Sequence, residues 1–469
     1  MTNNYLSIEP PATTSRWTRV WVVITSLSVY GPYVVVNART EQIVVFLSAF
    51  GILLFGWPKV LEDHPCPAVP IFVCWSGLYS VIILATVYPH IDLGAYGQFS
   101  PSHGLADFAL PPALIIVSWF WTLVIPTRDL ILLIARTTIA GMVVNTVISV
   151  CQLATNNVLV FSVLPHFWSA ANGNAGSSTA VSVAAAGNGR FTGIFNQPAE
   201  AGVAYGVALF CLIYLSQVDA KSWTKMRTAY GVALTIGGIL TISKIFLLGG
   251  LPVALILLMR APANRMRAII SFSTIGFSLW LLGTYGLLPT WVIGPSTLRR
   301  IFSSSNTTLT TITAGRYGAD GTLAPLAADI LHSSPLVGFG AGGIAAPYDS
   351  MWLEALAVSG ILGVLLVCFV FIFLFARWTR LRWRLPRPEW HLSGATLVIA
   401  FGGSFGLPTL TGNRVSTLLW LIIGVLIVSQ PSDLSQQHIQ LGQRVLPRTA
   451  LAPAHRSRPA NWTSGALNN

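Results

Sequence analysis

The sequence predicts an all-α polytopic membrane protein of about 12 transmembrane helices. Three observations predict it. Hydrophobic residues fill 53% of the 469 positions and charged residues only 9%, against about 25% charged in an ordinary soluble domain. The mean hydropathy is +0.67. The apolar residues form continuous blocks, not the alternating strands of about ten residues that build a membrane barrel. The chain is also long enough. A span needs roughly 20 apolar residues, so twelve use about 240 positions and leave the rest for loops. This composition excludes a soluble globular enzyme and a disordered chain.

Residues 1–19 form a polar N-terminal tail. No small-residue cleavage site follows the first apolar block, which therefore reads as a span and not as a removed signal peptide. The blocks fall at 20–36, 42–57, 68–88, 109–126, 130–152, 200–216, 228–242, 245–259, 268–287, 350–376, 393–410 and 415–430. Those at 42–57, 228–242 and 245–259 are short. Ser243-Lys244 divides the last two, because a lysine at the bilayer centre is costly and a turn between two short helices avoids that cost.

Twelve spans put both termini on one side, and the charge pattern selects the cytoplasm. That orientation leaves Arg39, Arg190, Lys244, Arg299, Arg300, Arg316 and Arg414 outside and the remaining 20 of the 27 lysines and arginines inside, as the positive-inside rule requires. It accounts for the net charge of +12 without nucleic acid. Arg136 is the main charge within a span. The run Arg377–Arg387 reads as a cytoplasmic loop on anionic lipid. The domains are therefore the tail 1–19, a membrane domain 20–430 and a basic, disordered cytoplasmic tail 431–469.

The inner loops are short, and three outer loops are long: 89–108, 153–199 and 288–349. Long loops are usually functional or disordered. Ala170–Gly189 has no packing pattern and reads as flexible. Leu323, Leu326, Ile330 and Leu331 recur at helical spacing, so roughly 320–332 reads as an amphipathic helix on the outer surface, ended by Pro335. No internal repeat is evident, which disfavours a transporter made of two symmetric halves.

The five cysteines lie singly and no Cys-x-x-Cys occurs, so neither a disulfide framework nor a zinc site is indicated. Nucleotide-binding and protease motifs are missing too. What remains is a set of cations and carboxylates at the outer boundary. Arg190, beside Gly193 and the helix-starting Pro198, can make an anion site, because guanidinium and free N–H groups point the same way; it can equally be an interfacial anchor. Lys244 is a substrate contact or a helix C-cap. Arg316 is functional or a solvated loop charge, and the Arg299-Arg300 pair a ligand group or a lipid anchor. Gly338–Gly343 resembles a dinucleotide loop in letters only, since no strand precedes it; its glycines suit a loop re-entering against the outer face. Tyr348, Asp349 and Glu354 follow at the start of the tenth span. Asp349 can be a helix-N-terminal charge or, near a cation, an acid/base group. Glu354 lies deeper, where a carboxylate needs a partner or a wet cavity. Glu200 and His332 are weaker candidates.

These residues carry a family resemblance. The chain resembles the O-antigen ligase and Wzy-type polymerase superfamily of bacterial surface-polysaccharide enzymes. Arg190-Phe-Thr-Gly-Ile-Phe-Asn-Gln-Pro198 is similar to the family's Arg-x-x-Gly-x-x-x-Asn-Pro segment, with one Gln inserted. Thr241-Ile-Ser-Lys244 stands where the family has Ser-Arg. Pro335–Gly343 and the helix after it resemble the family's Pro-Leu-x-Gly-x-Gly loop. Tyr348-Asp349 replaces the His usual in ligases, which favours a polymerase. The resemblance implies glycosyl transfer on the outer face of the bacterial cytoplasmic membrane, between undecaprenyl-diphosphate-linked oligosaccharides, without cofactor or metal. Arg190, Lys244, Arg316 and Arg300 would hold the diphosphate. Asp349 would take the acceptor proton, with Glu354 and Glu200 behind it. A chain-length regulator and a flippase are the implied partners, besides membrane lipid. The alternatives are an O-antigen ligase, a flippase of lipid-linked saccharides and a non-enzymatic scaffold.

Overall fold

The computed structural model describes residues 16–34, 38–55, 66–87, 101–155, 158–168, 177–219, 224–260, 323–344 and 348–429. Among these residues the protein is helical and has no strand; Tyr33 and Arg39 form one isolated bridge. The helices in chain order are α1 (Arg16–Ser28), α2 (Thr40–Phe55), α3 (Val69–Val87), α4 (Pro101–Val124), α5 (Thr127–Ala154), the short α6 (Val158–Val163), α7 (Ser177–Gly187), α8 (Pro198–Val218) and α9 (Thr224–Leu240). They continue with α10 (Phe246–Met259), which opens on a π turn, then α11 (Leu323–Ser333), α12 (Met351–Leu381), α13 (Arg387–Gly403) and α14 (Arg414–Val428). Five of them, α3, α4 from Gly104, α5, α8 and α12, are long and apolar enough to cross a membrane.

A helix lies over every predicted apolar block except 268–287, which is outside the described residues. So are 288–322 with Arg299, Arg300 and Arg316, and the tail from 430 onward. Four boundaries differ from expectation. The block 20–36 is helical only to Ser28. α4 begins at Pro101, inside the predicted loop 89–108; proline suits a first turn, where its missing N–H is no loss. The block 393–410 is helical only to Gly403, because Gly402-Gly403 weakens the helix and Pro408 cannot continue it. Within the stretch Ala170–Gly189, read as flexible, residues Ser177–Gly187 are helical. Its three successive alanines are the strongest helix formers, a signal outweighed in the reading by glycine and serine.

The centre of the bundle is α8 and α14. Every residue of α14 is buried, and so is nearly every residue of α8 up to Leu215. A helix apolar on all sides belongs inside. α14 packs on α4, α5, α8 and α13, while α8 packs on α5, α9 and α13. The peripheral helices keep large apolar side chains exposed. Leu365, Phe369 and Ile372 form such a face on α12, and Leu47, Phe50 and Leu54 another on α2. A water-soluble surface does not carry contiguous apolar faces of this kind, whereas lipid solvates them.

The two ends of the bundle differ chemically. At one end guanidinium groups meet helix carbonyls. Arg377 donates to Ile427 O and Ser429 O at the end of α14, and Arg128 to Val218 O at the end of α8. Cations at helix C-termini complement the helix dipole. Arg136, the main charge expected within a span, pairs with Asp219 at 2.9 Å. The other end is built from non-helical segments and carries the candidate site. There α11 buries Leu323, Leu326 and Ile330 against Phe339, Leu353 and Ala357. Leu331, predicted in the same stripe, is 42% exposed, because one residue beyond Ile330 is rotated by about 100°.

Candidate functional site

Three irregular segments meet the helix ends here, and buried irregular backbone is tolerated only where its polar groups find partners. The first is 188–197. Asn145 of α5 accepts from Ile194 N and donates to Thr192 O; Gln152 accepts from Gly193 N and donates to Gly193 O. Gly193 has φ +64°, and a Cβ there would stand 2.1 Å from Asn145 Oδ1. The turn expected at Gly193 is therefore both conformational and steric. Gly193→Ala is expected to destabilise the protein by at least about 2 kcal/mol, read as a lower unfolding temperature in detergent; an unchanged temperature would contradict this packing. Pro198 opens α8 as its first residue.

The same segment carries Arg190. Its main chain and that of Phe191 bond to Ala185 O and Leu240 O. Its guanidinium donates from Nε to Thr241 O at 3.3 Å and from Nη2 to Ile242 O at 3.5 Å. Arg190 thus sits on the carbonyl end of α9, beside the turn that leads to Lys244. Ile242 has φ +45°, a costly conformation for a β-branched residue. Thr241 braces the turn, its hydroxyl donating to Gly238 O and accepting from Ser243 N. The structure therefore brings Arg190 and the Thr241–Lys244 turn together.

The second segment is 404–413, between α13 and α14. One side of it meets Ile245, the residue after Lys244, which a Cβ on Gly406 would touch at 3.6 Å. The other side meets the start of α12: Met351 N donates to Ser404 O, and Thr411 donates its hydroxyl to Glu354 Oε2. Gly412 O accepts from Arg39 Nη1 at 2.6 Å. A Cβ on Gly412 would stand 3.4 Å from Glu354 Oε1 and 3.6 Å from Asp107 Oδ2, so the two carboxylates look onto one glycine.

Around this segment lies a buried charge network. Arg39 pairs with Asp107 at 2.6 Å and Glu41 at 3.0 Å; Gln42 also donates to Asp107, at 2.7 Å. Burial works against the Arg39 charge, but Asp107 and Glu41 outweigh it and raise the Arg39 pKa. Arg414 is fully buried and donates to Ile194 O at 2.7 Å and Phe167 O at 2.9 Å, with its guanidinium over the Tyr33 ring. Glu200 accepts from Asn196 N and from Arg414 N. It thereby caps the N-termini of α8 and α14 together.

The third comprises 334–344, which contains the glycine-dense loop, and 348–350. α12 is broken at Gly360, with φ +63° and ψ −160°. The loop fills the break: Phe339 N and Gly340 N donate to Ala357 O and Val358 O, while Ile361 N and Leu362 N donate to Pro335 O and Leu336 O. The expected re-entrant loop is therefore a patch over a discontinuous helix. Tyr348 clamps it, its hydroxyl accepting from Ile344 N at 2.6 Å and donating to Ile344 O at 2.8 Å; burial raises its pKa, against the opposing effect of the Ile344 bond. Asp349 is half-buried and has φ +46°, a region aspartate tolerates better than most residues. His332 is exposed on α11, away from these contacts.

The predicted residues thus fall into two groups at one end of the bundle, Arg190 with Lys244 and Asp349 with Glu354, on either side of 404–413. Arg300 and Arg316 lie outside the described residues. Sequence reasoning missed Arg39, Glu41, Asp107, Thr411 and Arg414 as members of the site. Arg39 and Arg414 stood among the outer cations, but nothing in the sequence says that residues 68 positions apart, such as Arg39 and Asp107, are paired. No cluster of His, Cys, Asp and Glu able to hold a metal occurs among the described residues. All five cysteines are free. No family model matches the chain, and no curated protein matches it.

Proposed function

We propose that the protein is a membrane glycosyltransferase that polymerises undecaprenyl-diphosphate-linked oligosaccharide repeat units on the outer face of the bacterial cytoplasmic membrane. In this reading it has twelve spans, cytoplasmic termini and the loop-built end outward. A diphosphate leaving group carries its own driving force, so the reaction needs no nucleotide fold. It needs cations where charge develops on the departing diphosphate and a carboxylate to accept the proton of the acceptor hydroxyl. One observation carries the reading: segment 404–413 lies against Ile245, the residue after Lys244 and next to the turn that Arg190 holds, on one side, and against the Glu354 and Asp107 carboxylates on the other. Arg316 and Arg300, on the long outer loop, complete the proposed cation set.

Purified protein in liposomes, supplied only with lipid-linked repeat units, is expected to produce a ladder of longer lipid-linked glycans. Translocated but unextended lipid would favour the flippase instead. A ladder that survives in an Arg190→Ala, Arg316→Ala double variant would remove these cations from the site.

A further inference from the structure

We propose that the turn joining α12 to α13, at the end of the bundle opposite the charge network, is a binding surface for anionic phospholipid headgroups. Arg380, Arg382, Trp383, Arg384 and Arg387 are all exposed, and Trp383 is 85% exposed. Among the described residues none of these four arginines has an ion-pair partner. Glu389, the acid nearest in sequence, is buried and takes the Tyr214 hydroxyl at 3.1 Å.

The turn is rigid. Trp378 and Trp390 stack with ring centroids 4.7 Å apart and 7° between planes. Each indole N–H donates to the other residue's carbonyl, at 3.0 and 3.1 Å. The Arg382 guanidinium lies 5.1 Å from the Trp383 ring and 5.9 Å from that of Trp390. Arg384 N and Leu385 N close the turn on Leu381 O. The backbone that carries the cations is therefore fixed, and Arg382 is held over the two indole rings.

Position selects the partner. From the Gly360 break to Leu381, α12 runs about 32 Å, close to the hydrocarbon thickness of about 30 Å. Its exposed apolar face of Leu365, Phe369 and Ile372 leads along the helix to the arginines and Trp383. Aromatic and basic side chains at the end of such a face match the headgroup layer. Arg260, exposed at the end of α10, adds a further cation, sharing the neighbourhood of His391 with Arg387. A soluble polyanion would satisfy the charges but not an exposed indole continuous with a lipid-facing surface.

The test uses the full chain in non-ionic detergent, titrated with phosphatidylglycerol or phosphatidylcholine and followed by retained lipid and unfolding temperature. Phosphatidylglycerol is expected to be retained preferentially and to raise the unfolding temperature more. The R380Q/R382Q/R384Q/R387Q variant is expected to lose about tenfold or more of that preference, while unfolding normally without lipid. If it does not fold, R380Q/R384Q, which leaves the Arg382 stacking intact, and Trp383→Ala are expected to show smaller losses in the same direction. Undiminished preference in the variants that fold would overturn the proposal. So would displacement of the lipid by soluble glycerol phosphate, which would make the turn a phosphate site and not a membrane surface.

Discussion

Arg414→Ala is expected to produce the largest loss of stability of any single substitution at the loop-built end. Arg414 is fully buried, and its two terminal nitrogens supply the donors for Ile194 O and Phe167 O. Alanine would strand both carbonyls, each worth about 1–3 kcal/mol when left unpaired in the interior. It would also remove the positive charge beside Glu200 and Tyr33. Breaking a buried charge interaction from one side typically costs about 3–5 kcal/mol. Thermal unfolding in detergent should therefore show a midpoint lower by about 10 °C. Arg414→Lys keeps the charge but loses the fork that reaches two carbonyls at once, so its midpoint should fall between the two. Equal midpoints for wild type and Arg414→Ala would mean that the segments carrying Ile194 and Phe167 are not held through this side chain.

That arginine also shows what was legible in the sequence. Local signals sufficed where structure is local. The apolar blocks located the helices, Pro198 marked the start of α8, and Lys244 marked the break between α9 and α10. Gly193 announced a tight turn and has the positive φ that a turn of this kind uses. Long-range pairing was not legible. Arg414 reads as one more cation at the start of a span, yet its partners are 220 and 247 residues away. Glu200 reads as a possible acid next to a helix start, and only the arrival of α14 beside α8 turns it into a double cap. The glycines of 338–343 were legible as a re-entrant loop. Their cause was not, because Gly360 resembles any other glycine in an apolar helix until its torsion angles are known.

The largest effect on activity is expected at Asp349, where stability and chemistry can be separated. Its backbone lies at φ +46°, where asparagine and glycine are accommodated better than alanine. Asp349→Asn and Asp349→Gly therefore remove the carboxylate with little penalty to the backbone, and the glycine variant relieves what strain exists. Both should remain folded, as thermal unfolding in detergent would show, so that a change in rate reports on the carboxylate. In the proposed reaction the acceptor hydroxyl must lose its proton as the new glycosidic bond forms, and loss of a general base costs about 10²–10⁴-fold in rate. Extension of lipid-linked repeat units by either variant should fall by that factor. Glu354→Gln is the informative comparison, since a glutamine side-chain carbonyl can still accept from Thr411 but cannot take up a proton at neutral pH. Slow Asp349 variants beside a near-normal Glu354→Gln assign the base to Asp349. The reverse pattern moves it five residues along, to the carboxylate that shares Gly412 with Asp107. Wild-type rates in all three would leave the acceptor proton without a carboxylate from the start of α12, and the glycosyl-transfer reading would lose its chemistry there.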